Sequence, residues 1–486
     1  MKSLTERFNK LLAKTPMAMV VIPFAMGVFF AEGLEVPLWL LILLCTVALT
    51  GAILFKGWRQ ISALGVMIFG IGALIHTLSY GENTPYNEPF EMVLKVETSS
   101  AERKGYTSAE ARIEECKIEA LAGRNVVLWG DSLLYFTAGD RVRLTAPIHP
   151  FREERESYAR LMHHRGFVGA VSVNHRATYE YIPAPKLTLH DWAVGRLRSA
   201  MERGDARSVV LAMTTGERAE IRGELRQSYS ASGASHLLAV SGLHIGIAFM
   251  LINLLLLPLV LLRYGNVVRS VVAVALIWCY VWLCGMSPSA VRAAIMFSLL
   301  QFSLSSMREY VSVNILAGTA FAMLAFDSHQ LFDISFQLSF IAVAGIILWA
   351  MPLYRLCGTR FKAINILLGI LFVGIASTVA TIPLVARSFA SISLVGVLIN
   401  PIVIILANII VFAGISALAV PSVAVVAEMA AEWQNTIVKW AASLPYGHLE
   451  LSIPNWAMWS IYLLFAGVTI LLLLLPKRKK EPKIEG

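Results

Sequence analysis

The chain is dominated by apolar runs of spanning length, and a membrane-crossing helix needs about 20 such residues. Hydrophobic residues make up 57% of the 486 residues and charged residues only 15%, against roughly 45–50% and 25% in soluble domains. The runs predict a polytopic α-helical membrane protein with about twelve spanning helices. They lie near 17–32, 37–55, 61–80, 235–262, 267–285, 289–307, 310–327, 334–353, 363–386, 394–420, 422–444 and 456–475.

Basic residues between the runs predict the orientation of the chain. Lys and Arg cluster before the first run, between the second and third, and after the last, in Lys477–Lys480. Because cytoplasmic loops carry an excess of Lys and Arg, both termini are predicted to be cytoplasmic if the weak run 422–444 also crosses. That run holds three charged residues, so an interfacial position is the alternative. The same bias accounts for the net charge of +9, which therefore does not identify nucleic acid as a partner.

Residues 82–186 differ from the rest of the chain. Short β-prone stretches alternate in polarity between Gly, Asp, Pro and charged breaks, which predicts about five strands and a small β-barrel outside the membrane. Acidic and basic residues are nearly balanced here, so no net basic field marks the module as DNA-binding. A local basic face remains a hypothesis; its candidates are Arg141, Arg143, Arg152, Arg155 and Arg160.

Five segments follow from these patterns. They are N-terminal spanning helices (1–81), the β-rich module (82–186), an amphipathic helix and polar linker (187–232), a second membrane domain (233–476) and a basic tail (477–486). The amphipathic helix is expected either to lie flat on the membrane or to pack against the module.

One spanning-length segment carries polar residues that lipid does not favour. The stretch HLLAVSGLHIG contains His236, Ser241 and His244, with Gly242 and Gly246 spaced for close helix packing. On one continuous helix, Ser241 and His244 would share a face, and His236 would lie on roughly the same side. Two functions remain open for these side chains: lining a wet path, or hydrogen bonding between helices.

The same stretch resembles the signature of the ComEC family of competence proteins. The resemblance implies a channel that passes single-stranded transforming DNA across the cytoplasmic membrane, and an OB-like fold for the module, which commonly binds single strands. Many members of that family also contain a metallo-β-lactamase-like nuclease domain with an HxHxDH motif. That motif is absent from this sequence, so the resemblance does not carry nuclease activity to this chain.

Three further places supply candidates for lining or gating residues. In GMSPSAVRAAIM, Ser287 is a candidate cap and Arg292 follows one turn into a helix, which suits an anion such as phosphate. In DISFQLSF, an N-cap is expected at Asp333, with Gln337 deeper in the run. Asn400-Pro401 interrupts an apolar run, as broken helices near transport paths do. The alternatives are a membrane-edge anchor for Arg292 and a simple proline kink.

The function predicted from these features is a DNA-uptake channel without catalytic residues, cofactor or metal, located in the cytoplasmic membrane. Expected partners are single-stranded DNA, membrane lipid, and a separate nuclease, DNA receptor and cytoplasmic motor protein. A small-solute or ion transporter is the first alternative. An intramembrane hydrolase using Ser241 and His244 is the second, although no GxSxG elbow occurs.

Overall fold

The N-terminal helices are held together by close backbone contacts. Helices α1 (Pro16–Gly33), α2 (Leu38–Leu54) and α3 (Trp58–Ser79) pack as a group. A Cβ at Gly27 or Gly72 would collide with the backbone of the facing helix, so glycine allows α1 and α3 to approach closely. The computed structural model describes residues 14–34, 36–79, 86–97, 101–103, 106–118, 121–131, 134, 136, 139–151, 162, 166–173, 179–182, 188–305, 312–350, 352–354, 361–444 and 448–474.

The inserted module is a mixed β-sheet around one apolar core. All five predicted strands are found as β1, β3, β4, β5 and β6, and two short strands are added. The bounds are β1 (Tyr86–Val96), β2 (Ala101–Arg103), β3 (Tyr106–Cys116), β4 (Asn125–Asp131), β5 (Arg141–Ile148), β6 (Phe167–Val173) and β7 (Tyr179–Ile182). Inward-facing residues such as Leu94, Ile113 and Val171 are fully buried, as period-two alternation predicts.

The strand pairing does not close into a complete barrel. The order is β6-β4-β3-β1-β5-β7, with β2 paired to β3, and β4 and β6 run parallel. The edges approach at one isolated bridge, where His149 and Ala170 exchange both backbone hydrogen bonds at 2.9 and 2.8 Å. A side chain at Gly169 would collide with the His149 carbonyl, so glycine is required for this approach.

Residues 188–232 belong to the helical core, which corrects the prediction of a polar linker. They form α4 (Leu189–Ala200), α5 (Asp205–Thr214) and α6 (Gly223–Ala231). Residues 209–213 of α5 are fully buried, and these helices share one apolar cluster with later helices. Helix α4 packs against helices of this bundle, and its predicted position flat on the membrane surface stays a prediction.

The remaining helices form the second membrane domain. Their bounds are α7 (Gly242–Leu255), α8 (Gly265–Leu283), α9 (Pro288–Ser305), α10 (Ser312–Phe326), α11 (Ile334–Gly345, followed by a π turn at Ile346–Ala350), α12 (Lys362–Phe389), α13 (Leu394–Ala419), α14 (Ala424–Ala442) and α15 (Asn455–Leu474). Helix α14 folds back on α13, and the strands β8 (Ser391–Ser393) and β9 (His448–Glu450) pair where the two helices meet again.

Among the described residues, six helices are long and apolar enough to cross a membrane, and five further apolar helices are shorter. The six are Pro16–Gly33, Trp58–Ser79, Gly265–Leu283, Ile334–Tyr354, Leu368–Phe389 and Leu398–Ala419. The weak run 422–444 is in neither group. Its helix α14 instead buries Gln434 and Asn435, which hydrogen-bond with Tyr229 of α6. The architecture is that of a helical membrane protein, while the number twelve stays a prediction.

Candidate functional site

The signature segment is broken where a continuous spanning helix was predicted. A single 3-10 turn covers Ser235–Leu238, the backbone is extended at Ala239 and Ser241, and α7 starts only at Gly242. Ser241 is therefore the N-cap residue, and it forms a capping box with His244 at the start of α7. The spacing argument that placed His236 on the face of His244 was wrong, because His236 precedes the helix.

The two histidines of this segment have different surroundings. His244 is fully buried, and its Nδ1 accepts a hydrogen bond of 3.1 Å from the backbone N–H of Ser241. His236 is exposed. In this conformation His244 holds the start of α7 in shape, and of the two only His236 is accessible to solvent or ligand.

Gly242 and Gly246 lie against α9. A Cβ at Gly242 would be 3.8 Å from Ala293, and one at Gly246 would be 3.1 Å from Phe297. Phe297 also stacks on Phe249, with ring centroids 4.8 Å apart. The missing side chains therefore let α7 approach α9 closely at its first two turns.

Arg292 is a buried cation at the meeting point of three helices. It is 3% exposed, and its Nη2 donates to the Ser335 hydroxyl, 2.8 Å away in the first turn of α11. Its Nε has no hydrogen-bond partner in the described part of the chain. Ala293, the next residue, faces Gly242 of α7. Through these two adjacent residues, the early part of α9 contacts the first turns of both α11 and α7, whereas the sequence placed Arg292 on one helix only.

The start of α11 is closed by its own side chains. Asp333 accepts hydrogen bonds from the backbone N–H groups of Ser335 and Phe336, at 2.6 and 3.1 Å, as predicted for an N-cap. Gln337 donates to the Leu331 carbonyl at 2.9 Å and thereby ties α11 to the turn before it. Ser287 does not cap α9 through its side chain, because its buried Oγ has no hydrogen-bond partner among the described atoms.

Asn400 lines a cleft between α12 and α13, beside Pro401 and Thr378. Its Oδ1 is buried without a hydrogen-bond partner among described residues. The predicted interruption at Asn400-Pro401 was wrong, since α13 is continuous through Pro401, just as α12 is through Pro383. The Pro residues leave carbonyls of the preceding turn without their usual donor, and Asn400 adds a further polar atom there.

The arginine candidates of the β-module are paired with carboxylates where the structure describes them. Arg141 contacts Glu114 at 2.7 Å, and Arg143 contacts Glu180 at 2.9 Å. Arg152, Arg155 and Arg160 lie outside the described residues. The two described arginines are therefore partly neutralised, which weakens the case for a basic binding face on β5.

Sequence reasoning missed a polar contact that anchors α4. The His190 Nε2 lies 3.6 Å from Glu217, and its Nδ1 lies 2.8 Å from the Leu283 carbonyl. The contact with the Glu217 carboxylate raises the pKa of His190 above its usual value, although burial opposes this. Burial works against ionisation of Glu217, but the hydrogen bonds from His190 and from the Ala219 N–H outweigh it and lower its pKa. No local sequence signal connects residues so far apart. Among the described residues, no cluster of three metal-ligating side chains occurs.

Comparison with known proteins identifies a family to which the sequence of this chain is similar. A family model described as "Competence protein" matches residues 213–478, which include the broken segment and every helix from α7 onward. No solved structure matches the chain.

Three curated proteins are similar over parts of their length. An uncharacterized protein of Aquifex aeolicus (strain VF5) is 29% identical over 61% of this chain and 64% of its own length. ComE operon protein 3 of Bacillus subtilis (strain 168) is 28% identical over 41% of this chain and 24% of its own length. Uncharacterized protein YcaI of Escherichia coli (strain K12) is 27% identical over 34% of this chain and 22% of its own length. The chain thus spans less than two thirds of each relative. Because the family model covers more than half of the chain, the protein belongs to the competence protein family.

Proposed function

We propose that the protein is a membrane channel through which single-stranded transforming DNA enters the cytoplasm. The observation that carries the proposal is that α9 brings the buried Arg292 against the first turn of α11, while the adjacent Ala293 lies against the first turn of α7. Helix N-termini carry partial positive charge and favour anions. Half-helices that point their N-termini at an anionic substrate are a recurrent device in membrane transport.

The chemistry required of a DNA channel is the replacement of phosphate hydration, with no bond to break. Donors must meet each phosphate without holding it so tightly that movement stops. Arg292 supplies a charge whose described partner is a neutral hydroxyl, and Asp333 moderates the local field from the cap of α11. Exposed His236 and the N-cap Ser241 supply polar groups at the neighbouring helix start. Gln337 and Asn400 are the further lining or gating candidates of this proposal.

The β-module is proposed to be an OB-like receiver of the strand. An OB fold is a partly open, five-stranded Greek-key barrel. Strands β1, β3, β4, β6 and β5 follow one another around such a path, and the bridge between His149 and Ala170 links its two edges. Since Arg141 and Arg143 are engaged by carboxylates, base stacking contributes more to binding in this proposal than phosphate contacts by these two residues.

The proposed orientation, in which α14 is also taken to cross the membrane, places both termini in the cytoplasm and the module outside. Asn314 contacts the backbone of Lys14 and Met17 at one end of α10, while His329 contacts the Ser79 carbonyl beyond the other end. Exposed Trp39, Trp282 and Trp456 lie at helix ends predicted to be extracytoplasmic. At predicted cytoplasmic ends, Arg59 lies over Trp58 and Arg263 lies over Tyr264. Aromatic belts with basic residues inside fit this orientation.

The proposal contains no catalytic role for this chain. The proposed partners of the chain are a separate nuclease, a DNA receptor and a cytoplasmic motor protein. The hydrolase alternative lacks support from the geometry, because the ring of His244 accepts from the backbone N–H of Ser241. A nucleophile and its base need a hydrogen bond through the hydroxyl. A small-solute or ion transporter uses the same helix ends and is separated from the DNA channel by experiment.

The test replaces the native gene of a transformable host and measures uptake of labelled DNA. Arg292→Gln removes the charge and is expected to lower uptake by about tenfold or more, as for loss of one charged contact. DNA binding at the cell surface is expected to stay unchanged. Arg59→Gln, at an exposed cytoplasmic helix start, is the matched control and keeps normal uptake. Wild-type uptake in Arg292→Gln, or saturable transport of a small solute that DNA does not inhibit, contradicts the proposal.

A further inference from the structure

A cluster of ionisable side chains lies between the N-terminal helices and the second membrane domain. His76 of α3 is 1% exposed, and its Nε2 lies 2.9 Å from the Glu32 carboxylate of α1. Its Nδ1 lies 2.9 Å from the hydroxyl of Ser328, at the start of the 3-10 turn Ser328–Phe332. The ring of His329 is 4.8 Å from that of His76, and Asp327 is the further charged group facing it.

Such residues are costly within apolar helices and mark functional sites when they occur there. Glu32 and His76 both lie in the last turn of helices long and apolar enough to cross a membrane. A packed joint of this size is equally well made from apolar side chains, as the neighbouring contact between Phe24 and Phe321 shows. Structural need alone therefore does not account for a carboxylate and an imidazole at this position.

The geometry accommodates two protonation states without moving a heavy atom. An ionised carboxylate only accepts hydrogen bonds, so Nε2–H of His76 donates to Glu32. In the neutral ring, Nδ1 accepts from the Ser328 O–H group. After uptake of one proton, Nδ1–H donates to the same oxygen instead. The charge of the Glu32–His76 pair changes from −1 to zero, and every ring nitrogen keeps its partner.

The exposure of the cluster defines how a proton reaches it. The Glu32 side chain is 22% exposed, while His76 and Ser328 are buried. A proton therefore arrives through the carboxylate. Because burying a net charge is unfavourable, the neutral pair stabilises the packed joint more than the anionic pair does.

The joint connects two parts of the chain with different roles. Helix α3 leads into the β-module, and the turn Ser328–Phe332 leads directly into Asp333, the cap of α11. Leu331 in this turn accepts the hydrogen bond from Gln337, and Ser335 follows with its contact to Arg292. A change at His76 thus acts on the same turn that holds the start of α11.

We propose that Glu32, His76 and Ser328 form a proton-binding site that fastens the N-terminal helices to the start of α11. Proton uptake removes the net charge and tightens this joint, and proton release loosens it. The inference concerns a site outside the proposed DNA contacts and does not depend on the identity of the transported molecule.

Hydrogen exchange of the whole protein in lipid nanodiscs tests the site. The peptide covering residues 327–333 is compared at about pH 5 and about pH 8, which lie at the two ends of the range in which histidines change charge, with the intrinsic exchange rate divided out. The wild type is expected to show at least about threefold greater protection at the lower pH. His76→Gln, which keeps both hydrogen bonds and does not titrate, is expected to lose the difference. His329→Gln is the matched control and keeps it.

Equal protection of the wild type at both pH values overturns the proposal. So does a pH difference that persists in His76→Gln or disappears in His329→Gln. If His76→Gln fails to fold, Glu32→Gln provides the test: without the carboxylate, the imidazolium is less favoured, so the transition moves to lower pH. An unmoved transition in Glu32→Gln also contradicts the proposal.

Discussion

The guanidinium of Arg292 and the hydroxyl of Ser335 are joined by a 2.8 Å hydrogen bond that links the first turns of α9 and α11. This contact places a buried positive charge between helix starts that are themselves partly positive. A neutral hydroxyl relieves only part of the cost of burying an arginine. The arrangement is therefore suited to an anion that arrives transiently.

Substitution of Ser335 by Ala removes the described partner of Arg292 without changing the charge. The freed guanidinium is expected to bind an anion more readily but to be held less firmly, at a cost of about 1–3 kcal/mol for the unsatisfied group. A lowered midpoint of thermal unfolding in detergent checks this. An unchanged midpoint shows that Ser335 contributes nothing to holding Arg292. Ser303→Ala, toward the other end of α9, is the control.

The approach of α7 to α9 is expected to depend on Gly246. A valine there brings methyl groups against Phe297, which a Cβ alone would already approach to 3.1 Å. Overpacking of this kind costs about 1–3 kcal/mol. Gly369→Val is the comparison, because nothing lies within 4 Å of a Cβ at that helix position. Thermal unfolding of the two variants in nanodiscs measures the difference, and equal midpoints contradict close packing at Gly246.

The buried network of α6 and α14 gives a second stability prediction. The Tyr229 hydroxyl donates to Asn435 and accepts from Gln434, at 2.8 and 2.9 Å. Tyr229→Phe leaves both amides without this partner, and we expect a loss of about 1–3 kcal/mol. Tyr264, which is exposed, offers the matched Tyr264→Phe control. Comparable unfolding midpoints for the two variants would show that the network contributes no net stability.

The His190–Glu217 pair predicts a pH dependence of stability. The pKa of His190 is raised, so its contribution is present below about 6.5 and disappears as pH rises through the folded value. The pKa of Glu217 is lowered, so its contribution is present above about 4.5 and disappears as pH falls through the folded value. The pair therefore stabilises most between these limits.

Thermal unfolding of the wild type is expected to show a higher midpoint at about pH 6 than at about pH 8, because the lower pH protonates His190 while Glu217 stays ionised. The substitution Glu217→Gln is expected to reduce this difference. His329→Gln, which removes a histidine of the turn Ser328–Phe332 and leaves the His190–Glu217 pair intact, is the control. A pH difference of the same size in Glu217→Gln would assign the effect to another group.

The periodic features of this chain could be predicted from the sequence because they depend on local residue spacing. Alternation identified the strands that bury Leu94 and Ile113, and long apolar runs identified α1, α3, α8 and α13. The burial of α5 could not be predicted from the sequence, since a ten-residue helix of mixed composition does not indicate which neighbouring elements will cover it. The same holds for Arg292: its spacing indicated a helix start, but only tertiary packing brings Ser335 and Gly242 to it.

The break before α7 had a weak local signal that hydropathy concealed. Ser241-Gly242 is a good N-cap sequence, yet apolar residues on both sides gave one uninterrupted run. In the same way, Pro401 suggested an interruption where neighbouring helices keep α13 continuous. Apolar composition therefore predicted which segments are helical more accurately than it predicted where the helices begin and end.

Site-specific crosslinking during uptake tests the central claim most directly. Single cysteines replace His236, Ser241 and Ser289, beside the converging helix starts, and Leu261, which is 90% exposed on an apolar surface. Single-stranded DNA carrying a thiol-reactive group is arrested during entry. The channel account predicts crosslinks at 236, 241 and 289 and none at 261. Continued DNA uptake with no crosslink at the first three positions, or with equal crosslinking at 261, would contradict it.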